Sequence, residues 1–107
     1  GDLPRAGTAA ARTVASCRAL AELRELHLAR QGIEDAGAVA LAESPYLRNL
    51  RRLDLSGNHI GRRGLAALAG APLARNLYFL NLRYNNLAPP DLADLRDQFP
   101  PDTEIRV

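Results

Sequence analysis

The sequence predicts an α/β solenoid, in which strand–helix units stack side by side. Three observations carry that expectation. Apolar residues recur at a fixed interval of 27: Leu23, Leu26, Leu28, Gln31 and Ile33 are followed by Leu50, Leu53, Leu55, Asn58 and Ile60, then by Leu77, Leu80, Leu82, Asn85 and Leu87. Around each Leu-x-Leu pair the apolar residues alternate with period two, as in a half-buried strand. The segments between these strands are rich in helix formers and obey the same ruler, since Val14, Leu41, Leu68 and Leu95 are each 27 apart. Such a period marks units that cannot bury an apolar face alone and do so by stacking.

The first seven residues, Gly1 to Gly7, hold two glycines and a proline without periodicity and read as a flexible lead-in. A helix is expected over 8–22, with Thr8 as its N-cap, as the helical half of a unit that covers the open end of the core. The first full unit, 23–49, has its strand at Leu26–Leu28. Glu34 and Asp35 then stand where acidic side chains cap a helix, and Ser44-Pro45 ends it. In the second unit, 50–76, Gly61 and Gly64 open the helix and Gly70 with Pro72 stops it. The third, 77–102, has its helix in LAPPDLADLRDQF, with Pro90 or Asp91 in the first turn, and ends at Pro100-Pro101. The tail 103–107 alternates once more as a short strand, with Ile105 and Val107 following Leu80 and Leu82 by 25.

Composition narrows the function classes. A chain of 107 residues makes one domain and buries about 65% of its unfolded surface. Aromatics are only 5%, so the core is built from Leu and Ala. The net charge of +2 is too small to argue for nucleic acid. All 14 basic residues are Arg, the bias of a GC-rich genome, and a bacterial source is the expectation. Cys17 is the only cysteine, which excludes an internal disulfide. No apolar run nears the ~20 residues that span a bilayer. The chain opens on Gly1 and reads as a piece of a longer polypeptide.

The L-x-x-L-x-L-x-x-N-x-I motif of residues 50–60, with its copies at 23–33 and 77–87, resembles the leucine-rich repeat. The length of each unit, its helical half, and the segments Gly37–Ala42 and Gly64–Ala69 look like the ribonuclease-inhibitor-like subclass, over roughly residues 8–107. That resemblance implies a right-handed solenoid with a concave parallel sheet of about four strands and helices on the convex side. It implies a protein-interaction module, as inhibitor, receptor part, adaptor or effector, and not an enzyme. Gln31 in place of Asn, Asp91 in place of Gly, and a last unit without Leu depart from the pattern, as terminal units do. Extracellular members carry disulfide-closed caps, so a lone Cys17 points to an intracellular, cytoplasmic setting.

Leu26, Leu28, Leu53, Leu55, Leu80 and Leu82 are expected to stack inward, with Leu23, Leu50, Leu77, Ile33, Ile60 and Leu87 closing the core. Asn58 and Asn85 are expected to satisfy turn groups of their own and the adjacent unit. Partner residues must then lie between the leucines. Parallel strands set them in rows: Glu25, Arg52, Phe79, Glu104; then His27, Asp54, Asn81, Arg106; then Ala29, Ser56, Arg83, with Arg30, Gly57 and Tyr84 beside them. Tyr and Arg are enriched in binding hot spots. The candidate surface is therefore Arg52, Asp54, Tyr78, Phe79, Asn81, Arg83 and Tyr84, binding a protein or peptide as a monomer. Phe79 is the sharpest case, an aromatic at a position that should face solvent. The bland reading pairs Glu25 with Arg52 and His27 with Asp54 as ordinary cross-strand neighbours on a structural spacer.

Other chemistry is less supported. His27, Asp54 and Ser56 are triad residue types, but an open sheet offers no strained nucleophile turn and no oxyanion hole. No paired His/Cys spacing suggests zinc, and no glycine-rich phosphate loop is present, so no cofactor is expected. A sheet face of about four strands at ~4.8 Å spacing covers only a few hundred square ångströms, which suits a short peptide or a loop, or part of a longer array.

Overall fold

The structure, a computed structural model, describes residues 6–107. It contains four short parallel strands, β1 (Glu25–His27), β2 (Arg52–Asp54), β3 (Phe79–Asn81) and β4 (Glu104–Arg106), in that spatial order. The register follows the ruler: Leu26, Leu53, Leu80 and Ile105 stand opposite one another in a single row. Each central residue turns inward and its two neighbours outward, because successive side chains on a strand take opposite faces. Beyond the strands the ladder continues, with Leu28 N donating to Asp54 O, Leu55 N to Asn81 O and Leu82 N to Arg106 O at 2.7–2.9 Å.

The helices α1 (Ala6–Ala15), α2 (Asp35–Glu43), α3 (Arg62–Ala69) and α4 (Pro89–Leu95) lie against the other side of the sheet. Between them and the strands a Leu-rich core closes around Leu41, Leu47, Leu50, Leu53, Leu65, Leu68, Leu80 and Leu82, all almost without solvent exposure. Leu23, Leu28 and Leu87, expected in that core, are only half-buried against it. Leu23 and Leu28 flank the edge strand β1, whose second side no described strand covers.

Asn58 performs the expected ladder role. Its Oδ1 accepts from Gln31 N and Ile33 N, both at 3.0 Å, and its Nδ2 donates to Leu28 O, Leu55 O and Ser56 O. Asn85 repeats the arrangement one unit on, accepting from Ile60 N and donating to Leu55 O, Leu82 O and Arg83 O. Each asparagine thus ties the turn of one unit to the strand end of the one before.

Several boundaries differ from the sequence reading. Residues 1–5 of the lead-in lie outside the described residues, and α1 already runs at Ala6 and Gly7. It stops at Ala15, and a separate 3-10 turn covers Arg18–Leu20 instead of one helix to residue 22. Thr8 is not the N-cap of α1. It is buried, and its Oγ1 accepts from Glu34 N at 3.1 Å, capping α2. Asp35 likewise does not cap its own helix: its Oδ1 accepts from Gly61 N at 2.7 Å and Gly64 N at 3.0 Å, at the start of α3. Thr8 and Asp35 are 27 apart, so the cap comes from the preceding unit. This suits α3, whose own first turn holds Arg62 and Arg63 and no acid against its dipole.

The ends of the helices follow local rules. Ser44 leaves α2 with extended backbone ahead of Pro45, and its hydroxyl donates to Ala15 O of α1. Pro72 begins a 3-10 turn over Pro72–Asn76 after Gly70 has closed α3. α4 starts on Pro89, with Asp91 Oδ2 accepting from Ala88 N at 2.9 Å, and it gives way to 3-10 geometry over Arg96–Gln98. The Arg96 guanidinium then fastens the turn into β4 by donating to Pro100 O, Pro101 O and Thr103 O.

Candidate protein-interaction face

The outward residues of the four strands form one surface, and the register places them in the expected rows. Glu25, Arg52, Phe79 and Glu104 stand side by side, as do His27, Asp54, Asn81 and Arg106. The third row follows from Arg30 N donating to Ser56 O and Gly57 N donating to Arg83 O, both at 2.9 Å.

Phe79 is half-buried and not open to solvent as expected, because two guanidinium groups cover it. Arg52 Cζ lies 4.6 Å from the ring centroid and Arg106 Cζ 5.4 Å from it, both within cation–π range. Arg52 also lies 5.9 Å from the Tyr78 ring. Each arginine is steered by a carboxylate: Arg52 Nε is 3.4 Å from Glu25 Oε1, and Arg106 Nε donates to Glu104 Oε2 at 3.0 Å. All four charged groups are largely exposed, so these pairs orient side chains more than they stabilise the fold. Arg106 is absent from the sequence-derived candidates yet completes the stack. Its signal was the 25-residue offset of the tail, which sets Arg106 one row from Phe79.

Two tyrosines frame this stack. Tyr78 is 47% and Tyr84 80% exposed, the large apolar side chains that the described residues leave open. Tyr84 has φ +61°, in the left-handed region. The same region recurs at the equivalent positions Arg30 and Gly57, with φ +57° and +68°. The turn therefore demands this conformation in every unit, and only the middle unit meets it with the residue that adopts it freely. At Tyr84 an exposed aromatic is held there against its own preference.

The remaining candidates divide. Asp54 Oδ1 accepts from Ser56 N at 2.9 Å and from Ser56 Oγ at 2.7 Å, and Asn81 Oδ1 accepts from Arg83 N at 3.1 Å. Both brace the strand end of their own unit, the behaviour of Asx turns. The His27–Asp54 pairing gives way to His27 Nε2 lying 3.7 Å from Glu25 Oε1, while Glu25–Arg52 forms as expected. His27, Asp54 and Ser56 do not assemble a relay, since the Ser56 hydroxyl donates to Asp54 and His27 turns to Glu25. Arg83 is exposed beside Tyr84. Among the described residues no group of three or more His, Cys, Asp and Glu could hold a metal ion. No described helix is long and apolar enough to cross a membrane.

Comparison with known proteins agrees with this geometry. The family profile described as Leucine Rich repeat matches residues 22–42 and 46–69, which hold β1 with α2 and β2 with α3. No curated protein matches the chain. Leucine-rich-repeat domains generally mediate protein–protein contact and are typically not enzymes. The two matched units, the single row of stacked leucines and the asparagine ladder that joins them are the architecture of a short leucine-rich-repeat α/β solenoid.

Proposed function

We propose that the chain is a protein-interaction module, part of a longer polypeptide, that holds a peptide or a protein loop on its concave face. Tyr78, Phe79 and Tyr84, with Arg52, Arg83 and Arg106, make the contact; Asp54 and Asn81 position the strand ends beneath it. One observation carries the proposal: Tyr84 is 80% exposed in a left-handed conformation that the same turn fills with Gly at position 57. Backbone strain with no packing in return is a mark of function. The stack of Arg52, Phe79 and Arg106 supports it, because preorganised aromatic and arginine groups lose little freedom on binding. The ribonuclease-inhibitor-like subclass is supported by a helix in every unit, and an intracellular setting by the lone Cys17.

Tyr84→Gly tests the idea because stability and binding should move in opposite directions. Relief of the left-handed strain should leave the fold as stable as before or more stable by about 1 kcal/mol, read by thermal melting. Partners recovered with the unaltered chain should be lost with Tyr84→Gly, and with Phe79→Ser combined with Tyr84→Ser. Full recovery of every partner by well-folded variants would leave the structural-spacer reading in its place.

A further inference from the structure

A second surface adjoins the concave face, sharing Tyr78 with it, at the edge where the chain enters each strand. A groove of about 430 Å³ runs there across the first three units. Its walls keep the ruler of the fold. Arg24, Arg51 and Tyr78 are one row, and Glu22, Asn49 and Asn76 another, each with a step of 27. The backbone holds the first row side by side, with Arg51 N donating to Arg24 O at 2.7 Å and Tyr78 N to Arg51 O at 2.9 Å. In the second row each asparagine is fixed by one amide N–H, Asn49 Nδ2 to Ala21 O at 2.8 Å and Asn76 Nδ2 to Arg48 O at 2.6 Å. Arg75 completes the lining.

The groove gathers three unpaired arginines. Arg52, Arg62 and Arg106 each lie against a carboxylate. Arg24, Arg51 and Arg75 are exposed, and among the described residues none has a carboxylate within ion-pair distance. Like charges on adjacent strands repel, and Arg24 and Arg51 stand on adjacent strand leads. An incoming anion removes that repulsion, and guanidinium forks match carboxylates in two parallel bonds. The asparagine amides, with a second N–H and an oxygen each, match the polar groups of a peptide bond.

We propose that this groove binds an acidic peptide segment, with side-chain carboxylates seated on Arg24, Arg51 and Arg75. The assignment does not rest on the concave-face reading. A peptide is favoured over nucleic acid because Glu22 stands in the same groove, where it repels a continuous phosphate backbone but tolerates separated carboxylates.

Fluorescence anisotropy with a labelled decapeptide of alternating Glu and Gly tests it, against the same peptide with Gln for Glu and a labelled single-stranded oligothymidine. The Glu peptide should bind and the Gln peptide should not, and raising the salt should weaken binding. Arg51→Ala with Arg75→Ala should weaken it about tenfold, while Glu22→Gln should tighten it about twofold. Arg12→Ala with Arg63→Ala removes equal charge from the helices and should leave affinity unchanged. All these residues are exposed, so melting should match the parent chain; Arg24→Gln, expected to weaken binding, replaces the double variant if it does not. Equal loss from the Arg12/Arg63 control, oligothymidine binding as tightly as the Glu peptide, or affinity indifferent to Arg51 and Arg75 would each overturn the proposal.

Discussion

The helix α3 is held on its two sides in different ways. Toward α2 the contact is close and dry. Gly64 is buried there, and a Cβ at that position would lie 2.6 Å from Ile60 Cγ2, 2.8 Å from Asp35 Oδ1 and 3.1 Å from Ala38 Cβ. Gly37 makes the equivalent approach toward α1, where a Cβ would lie 3.3 Å from both Ala11 Cβ and Thr8 Cα. Toward α4 the equivalent position is Asp91, fewer residues of the two helices come close, and ion pairs bridge the gap. Arg62 Nη1 lies 2.8 Å from Asp94 Oδ2 and 3.5 Å from Asp91 Oδ1, and a hydrogen bond and charge attraction from Asp94 hold the guanidinium pKa above its ordinary value. The strands do not share this difference, since β1–β2 and β2–β3 pair in the same register. The repeat is thus enforced where backbones approach and relaxed where long side chains span the distance.

Substitutions on either side of this joint should differ in kind. The largest effect belongs to the shared core: Leu53→Ala, between Leu26 and Leu80 and 1% exposed, should lower stability by about 2–5 kcal/mol in denaturant melts. Gly64→Ala should cost about 1–3 kcal/mol, because Ile60 and Asp35 must both move. Asp35→Ala, which frees Gly61 N and Gly64 N at the start of α3, should cost about 1 kcal/mol. Arg62→Ala should leave the melting curve unchanged, since its ion pairs are exposed. Were Arg62→Ala as damaging as Gly64→Ala, the α3–α4 joint would be as tightly built as its neighbour. Hydrogen exchange should likewise be faster in α4 than in α2, as weakly packed elements open first.

The sheet was legible in the sequence because strand pairing has one variable, the register, and a step of 27 or 25 sets it for every row. The asparagine ladder followed from the same step. The caps of α2 and α3 were misread for a physical reason. Residue type says that Thr8 and Asp35 can accept backbone hydrogen bonds, but which helix start lies within reach depends on how closely helices pack. The candidate surface was legible as a list of outward positions and not as a set of contacts. Asp54 and Asn81 were assigned to a partner although their short side chains reach their own strand ends first. Phe79 was expected bare, since a sequence does not say that Arg52 and Arg106 will lie over it.

The caps donated by Thr8 and Asp35 have a consequence for anyone who would lengthen or shorten this chain. The structural period does not begin at a leucine. A segment cut at the start of a strand arrives without an acceptor for its first helix, and carries one whose helix start it leaves behind. The transferable module runs instead from the opening turn of one helix to the opening turn of the next, from Asp35 to Gly61 for instance, so that donor and acceptor travel together. Duplicating that span, which carries Asp35, should extend the array with every helix start capped, whereas duplicating residues 50–76, where Arg62 stands in the place of Asp35, should leave one helix start bare.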